Sequence, residues 1–359
     1  MRAFGRIALT LAALVIAATA TASAAPMIVL YGTPDTNRKI VKPGAADALP
    51  IDGRVFVQEP NVGHLFAGDA DRPYRVARMP AARLLAAGTT DAMARLLRSQ
   101  IDGPGCITAP WGDSGCMSHL VFVDEIDYRF AEKAPNLNTP AWRGRTSRNQ
   151  PKRKFPNYVP RPLPGHAGKE LSAAMEQLAA IPYPGGGTYA DRVHLYIAPG
   201  VVSSIGVGKG RFHNLGRDRR PHFRSHEGLR VALQRAGGVW LEMYHFDQAT
   251  RTRRPFNTGE WAAYPWRFAL YMTGPGSTTA DPAVLGKLHF HMSNGMPKNK
   301  GGAPAACSSP STPQGCQFAL ASNAVNTPIL ANGVGAYRME GNEAEWRSHV
   351  KRLYFPELP

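Results

Sequence analysis

Three short segments alternate apolar residues with residues that can do acid–base or aromatic chemistry. They cover 193–198, 239–244 and 288–292. Side chains alternate between the two faces of a β-strand, so each segment predicts a strand with one apolar face and one polar or aromatic face. The residues on the second face are His194, Tyr196, Trp240, Glu242, Tyr244, His289 and His291. Burying such groups costs several kcal/mol unless they are paired, so these faces are candidates for a polar pocket.

A fourth segment, 119–126, is apolar until it reaches a group of carboxylates at its end. Asp124 and Glu125 point to opposite sides of a regular strand, so only one of them faces the same pocket as Glu242. We expect Glu125 to be an acid/base group, with Asp124 as the alternative and Glu242 as the second carboxylate. A carboxylate pair on different strands is typical of glycosidic cleavage, in which one group protonates the leaving oxygen and the other acts as nucleophile or base.

In these segments the chain resembles the (β/α)-barrel glycoside hydrolases. The resemblance lies in Val-Asp-Glu at 123–125 and Trp-Leu-Glu-Met-Tyr at 240–244. It implies a hydrolase of polysaccharide that uses Glu242 with Glu125 or Asp124 and needs no cofactor. The substrate would be bound by the remaining polar and aromatic groups, which are His194, Tyr196, Trp240, Tyr244, His289 and His291.

Two other interpretations of these residues stay open. His289 and His291 lie two positions apart on one strand face, and such a pair binds a divalent metal when His194, Glu242 or Asp124 completes the site. The same histidines and carboxylates would also fit a hydrogen-bonded structural network. No Gly-x-Ser-x-Gly motif is present, which disfavours a serine hydrolase of the α/β type.

The order of the segments predicts the fold class. Apolar runs typical of buried strands occur at 27–31, 54–58, 119–126, 193–198, 239–244, 288–292 and 333–339. An eighth strand is expected near Ile107 or between Arg75 and Leu85. Segments with helical periodicity lie between most of these runs. Strands that alternate with helices in this way form a parallel sheet. Length and strand count favour a single-domain α/β fold of the (β/α)8 TIM type, with an open parallel α/β sheet as the alternative.

The amino end predicts a secreted protein. Arg2 and Arg6 precede an apolar stretch over 7–20, and Ala22-Ser23-Ala24 has the small-x-small pattern of a cleavage site. We therefore expect a signal peptide over 1–24 and one catalytic domain over 25–359, placed outside the cell or in the cell envelope. No other apolar stretch is long enough to span a membrane.

Cysteines and charge are consistent with an extracellular setting. Cys106 and Cys116 close one short loop-like segment, and Cys307 and Cys316 close another, which predicts two local disulfides. The net charge of +16 favours anionic polymers of the envelope or acidic polysaccharide as partners, and leaves open a non-catalytic envelope protein that binds anionic glycans. Long basic loops are expected at 131–167 and 200–224, and no nucleic-acid-binding module is recognisable.

Overall fold

The structure is a computed structural model, and eight parallel strands form its centre. It describes residues 26–31, 39–40, 49, 55–58, 74–102, 120–130, 167–198, 201–202, 227–242, 258–293, 326–337 and 343–357. The strands are β1 (Met27–Tyr31), β2 (Val55–Gln58), β3 (Tyr74–Pro80), β4 (Leu120–Ile126), β5 (Val193–Ile197), β6 (Gly238–Glu242), β7 (Leu288–Ser293) and β8 (Gly333–Tyr337). Each strand pairs with the next along the chain, and β8 pairs with β1, which closes the sheet. The predicted parallel α/β fold is confirmed, and β3 is the eighth strand expected between residues 75 and 85.

Helices follow each strand from β3 to β8. They are α1 (Ala81–Ala87), α2 (Thr90–Ile101), α3 (Ala167–Ala179), α4 (Arg230–Arg235), α5 (Thr258–Thr273), α6 (Pro282–Leu285), α7 (Thr327–Ala331) and α8 (Glu343–Tyr354). Short 3₁₀ turns lie at Tyr128–Phe130, Ala190–Arg192 and Glu227–Leu229. None of the helices in the described ranges is both long and apolar enough to cross a membrane.

The sequence of α2 shows why these segments become helices and dock on the sheet. The hydroxyl of Thr89 accepts a hydrogen bond from the backbone N–H of Ala92 and so caps the first turn. Met93, Leu97 and Ile101 recur at helical spacing and are fully buried. Such a stripe of apolar residues faces the core of a globular protein, so α2 is held by this face.

The two faces of the sheet differ in composition. The outer face carries Leu195, Val239, Leu241 and Phe290, which belong to the large apolar core shared with the helices. The inner face carries a separate small cluster, and its members are Val29, Leu120, Phe122, Tyr196 and Trp240. The strict alternation along β5, β6 and β7 produces this division, because successive side chains point to opposite faces.

Candidate functional site

Trp240 is the centre of a buried group in the lower part of the inner face. Its indole N–H donates a hydrogen bond to Nδ1 of His194 at 3.0 Å. The ring of His289 stacks on the indole with centroids 4.3 Å apart and planes 14° apart. The three residues come from β5, β6 and β7 and are all buried. The structure therefore brings together three of the side chains that the sequence predicts for the site.

Two glycines make room for the imidazoles. Gly238 pairs with His194 across β5 and β6, and a Cβ atom at Gly238 would lie 2.4 Å from Nδ1 of His194. Gly335 pairs with His291 across β7 and β8, and a Cβ there would lie 2.5 Å from Cδ2 of His291. Any larger residue at either position would have to displace a ring. These glycines are therefore part of what lets the inner face hold histidines.

The three histidines of the inner face are uncharged at neutral pH. Burial, with smaller contributions from nearby His289 and Arg192, lowers the pKa of His194 to about 3. Burial also lowers the pKa of His289 and of His291 to about 3, against the opposing effect of backbone hydrogen bonds at Asn332 and Ala336 respectively. Because each ring is neutral, each offers one donor and one acceptor nitrogen. As neutral rings they have no positive charge with which to bind an anionic ligand.

Tyr196 lies one layer above, toward the carboxyl ends of the strands. Its ring is 4.5 Å from the ring of His291 and 5.3 Å from that of Phe122. Burial raises the pKa of Tyr196 well above its ordinary value, and the charges of Asp124 and Glu242 raise it further. The phenol is therefore protonated at any physiological pH, and it lies within electrostatic range of both carboxylates.

Arg78 joins the site from β3 and was not predicted from the sequence. Its Nε donates to Oδ2 of Asp124 at 3.0 Å, and its Nη2 donates to the same oxygen. The guanidinium lies over the ring of Tyr31, 4.4 Å from the centroid. The Arg78 side chain is 30% exposed and that of Asp124 is 12% exposed. Asp124 is thus ion-paired with a partner that is itself partly exposed.

Asp124, and not Glu125, belongs to the group around Tyr196. Asp124 is buried on β4, whereas Glu125 is exposed. Glu125 has a positive φ of 62°, and the register between β4 and β5 shifts between Val123 and Ile126. The extra residue returns Ile126 to the outer core with Val123, as a bulge does. We expected Glu125 to be the acid/base group, although regular alternation already places Asp124 on the face of Phe122.

The electrostatics of Glu125 reflect a crowded strand end. Partial desolvation raises its pKa, and the charges of Asp124 and Asp127 add to that effect, while Arg129 and Arg78 oppose it. Asp127 accepts hydrogen bonds from Nε of Arg129, 2.8 Å from each carboxylate oxygen. Although its pKa is raised, Glu125 does not lie on the inner face with the other polar groups.

Glu242 lies at the end of β6 and is 3% exposed. It pairs in register with His291 on β7. Glu242 and Asp124 come from two different strands, and the charge of each raises the pKa of the Tyr196 phenol. The structure therefore assembles two carboxylates, a protonated tyrosine and a neutral histidine near the carboxyl edge of the sheet.

Several predicted features lie outside the described residues. They are Tyr244, the four cysteines with their two predicted disulfides, the signal peptide, and nearly all of the two basic loops. The metal interpretation gains no support from the ranges that the structure describes, because no group of three His, Cys, Asp or Glu side chains there is placed to hold an ion. His289 and His291 instead pack against Trp240 and Tyr196.

Comparison with known protein families, with curated proteins and with solved structures finds no significant match. The function must therefore be argued from the side chains themselves.

Proposed function

We propose that the chain is a secreted glycoside hydrolase that cleaves extracellular polysaccharide with Asp124 and Glu242. One observation carries the proposal: buried Asp124 and Glu242 come from β4 and β6, the two strands that flank β5 with Tyr196, and both charges raise the pKa of that phenol. Most glycosidases cleave the glycosidic bond with a pair of carboxyl groups. The net charge of +16 also favours acidic polymers as partners of the chain.

The proposed architecture is a single-domain (β/α)8 barrel of the TIM type. The closed order of parallel strands supports it, as do the helices after β3 through β8. Enzymes with this architecture build their active sites at the carboxyl ends of the strands. Asp124 and Glu242 both lie at that edge, near the last residues of β4 and β6.

The surroundings of the two carboxylates suggest different roles. Asp124 forms an ion pair with Arg78, so it suits the anionic role of nucleophile or base. Glu242 is more deeply buried and lies beside the neutral ring of His291, which suits the proton donor. Tyr196 keeps its proton and would donate a hydrogen bond to charge that develops at the reacting sugar, as preorganised donors do in a site shielded from water.

The test is hydrolysis of a panel of soluble polysaccharides by the secreted protein and by Glu242→Gln and Asp124→Asn. Each substitution is nearly isosteric but removes proton exchange or nucleophilicity. We expect each to lower kcat by a factor of about 10² or more, with a circular dichroism spectrum like that of the wild type. Melting curves of the same proteins show whether a loss of activity comes from a loss of folded protein.

Glu176→Gln is the matched control, because Glu176 is an exposed carboxylate on α3, far along the chain from both strand ends. It should hydrolyse at the wild-type rate. A destabilised Glu242→Gln with full activity per folded molecule would make Glu242 structural and refute its catalytic role. A wild type that binds the polymers without cleaving any would favour the envelope-binding alternative.

A further inference from the structure

His291 connects two strands of the inner face that are not neighbours in the sheet. Its ring lies 4.5 Å from the ring of Tyr196, with planes 31° apart. His291 belongs to β7 and Tyr196 to β5, so this contact crosses β6, the strand between them. Tyr196 is level with Trp240 of β6, and His291 is level with Glu242. The two rings therefore meet diagonally across the strand that carries the proposed proton donor.

Gly335 of β8 lets the imidazole lie directly against the backbone. Gly335 pairs with His291 in register, and a Cβ at Gly335 would lie 2.5 Å from Cδ2 and 3.3 Å from Cγ of that ring. The same Cβ would lie 3.3 Å from Cε3 of Trp240. The imidazole is therefore in contact with both the backbone of β8 and the ring of Tyr196.

Both rings are tightly enclosed. Tyr196 and His291 are each 1% exposed. Tyr196 also packs on Phe122 and Trp240, with ring centroids 5.3 Å and 5.8 Å away. Protein interiors are as densely packed as organic crystals and transmit strain, so a shift of the imidazole also shifts the phenol.

The imidazole does not act through a charge. Burial lowers the pKa of His291 to about 3, and the charge of Arg78 acts in the same direction. The ring is therefore neutral at neutral pH, and what it contributes to its neighbours is its volume and its planar shape.

We propose that His291 is a positioning residue of the hydrolase: packed against Gly335, it holds the Tyr196 hydroxyl where charge develops on the sugar. This inference rests on the proposed function and adds two residues that support the site from behind. His291 then acts through Tyr196, rather than by binding substrate as expected from the sequence. A hydrogen-bond donor stabilises a transition state when its position is fixed beforehand, and a misplacement of about 1 Å can cost about 10²-fold in rate.

The experiment measures kcat and KM on the soluble polysaccharide of the panel that the wild type cleaves fastest. His291→Leu removes the planar ring and keeps an apolar side chain of similar volume. We expect kcat per folded molecule to fall about 10-fold or more. KM should stay within about twofold of the wild-type value, because the lost stabilisation belongs to the transition state.

His291→Phe separates positioning from proton transfer. It restores a planar ring that cannot carry a proton, so it should recover most of the kcat that His291→Leu loses. The dependence of kcat on pH between 5 and 8 should keep the limbs of the wild-type profile, since neither limb comes from a ring that stays neutral.

Phe290→Leu is the matched control. Phe290 is the neighbour of His291 on β7, is fully buried and belongs to the outer core. The substitution removes a ring from the opposite face of the same strand. It should lower the melting temperature and keep the wild-type kcat per folded molecule.

Gly335→Ala tests the same contact from β8. The added methyl group displaces the imidazole and leaves every titratable group in place, so kcat should fall while KM is retained. Gly286→Ala adds a methyl group at an exposed position with its nearest atom at 3.5 Å and should not change kcat.

The outcomes separate this inference from the function on which it rests. If His291→Phe is as inactive as His291→Leu, or loses a limb of the pH profile, the imidazole itself does chemistry and the positioning role is refuted. A raised KM with unchanged kcat in His291→Leu would make His291 a substrate-binding residue. Wild-type kcat in both His291→Leu and Gly335→Ala would show that the contact positions nothing. Each of these results leaves the hydrolase standing, whereas a wild type that cleaves no polymer of the panel refutes the hydrolase and this inference together.

Discussion

Trp240 donates its indole N–H to Nδ1 of His194 across β5 and β6 at 3.0 Å. Both side chains are buried, so this bond satisfies two polar atoms that water does not reach. It also fixes which nitrogen of His194 accepts, since the neutral ring has one acceptor. The orientation of the lower imidazole thus depends on a tryptophan of the next strand.

Trp240→Phe tests the energetic value of that bond. The substitution removes the N–H donor and part of the ring system. The buried acceptor nitrogen of His194 is then left without this hydrogen bond. Trp346→Phe is the matched control: Trp346 is equally buried, and its indole nitrogen has no hydrogen-bond partner in the described part of the chain. We expect Trp240→Phe to lower the free energy of unfolding by about 1–3 kcal/mol more than the control, measured by urea unfolding. Equal losses would show that the bond contributes nothing beyond packing.

Gly335→Ala tests whether glycine is required beneath His291. The added Cβ would lie 2.5 Å from Cδ2 of His291 and 3.3 Å from Cε3 of Trp240. Both rings are packed on other rings, so neither moves freely. We expect a loss of about 1–3 kcal/mol in the free energy of unfolding.

Gly286→Ala is the control for this experiment. A Cβ at Gly286 would meet its nearest atom at 3.5 Å, and the position is exposed. It should change stability by no more than about 0.5 kcal/mol. If Gly335→Ala is equally neutral, the inner face is looser around His291 than the distances indicate.

The inner face could be predicted from the sequence because strand alternation is a local property. Period-two patterns around His194, Glu242 and His291 are visible in a few residues, and the structure places these side chains on one face. Arg78 could not be found in this way. The β3 segment Tyr74–Pro80 contains a second arginine and ends in proline, so no pattern shows which residue reaches the site.

The environment of Glu125 also exceeded what local pattern can decide. It depends on the register shift between β4 and β5, which is a relationship between segments about 70 residues apart in the chain. Alternation up to Asp124 correctly groups it with Phe122. Only the bulge determines that Glu125 faces solvent and that Ile126 rejoins the outer core.

Stability should fall in acid because of the buried histidines. The pKa of His194, His289 and His291 is lowered to about 3 in the folded chain, whereas an unfolded histidine titrates near 6.5. Between these values the unfolded state binds more protons, so the free energy of unfolding falls as pH decreases below about 6.5. Three such groups give a slope of up to about 4 kcal/mol per pH unit near pH 5.

Urea unfolding at intervals from pH 7.5 to 4.5 measures this slope. His289→Phe keeps an aromatic ring against Trp240 and removes one titrating group, so its slope should be lower by about one proton. A slope that is unchanged in His289→Phe would mean that this imidazole already binds a proton in the folded protein. Stability that rises on acidification would contradict burial of all three as neutral rings.

The backbone at Glu125 makes the last prediction. Its φ of 62° lies in the left-handed region, which costs a residue with a side chain roughly 1–2 kcal/mol relative to an ordinary conformation. Glycine does not pay this cost. We therefore expect Glu125→Gly to be at least as stable as Glu125→Ala, by urea unfolding. At Arg95, an exposed position inside α2, the order should reverse, with the Gly variant about 1 kcal/mol less stable than the Ala variant.

Activity of the same variants decides between the two neighbouring carboxylates. Glu125 is exposed, whereas Asp124 is buried and paired with Arg78. Glu125→Gly relieves the strained position and should keep most polysaccharide cleavage, while Asp124→Asn should lose it. If Glu125→Gly and Glu125→Gln are both folded and both inactive, Glu125 is the acid/base group after all, and the bulge serves to aim it at the substrate. If Glu125→Gly is less stable than Glu125→Ala, the left-handed backbone at this position is not the native one, and Glu125 belongs to a regular strand end.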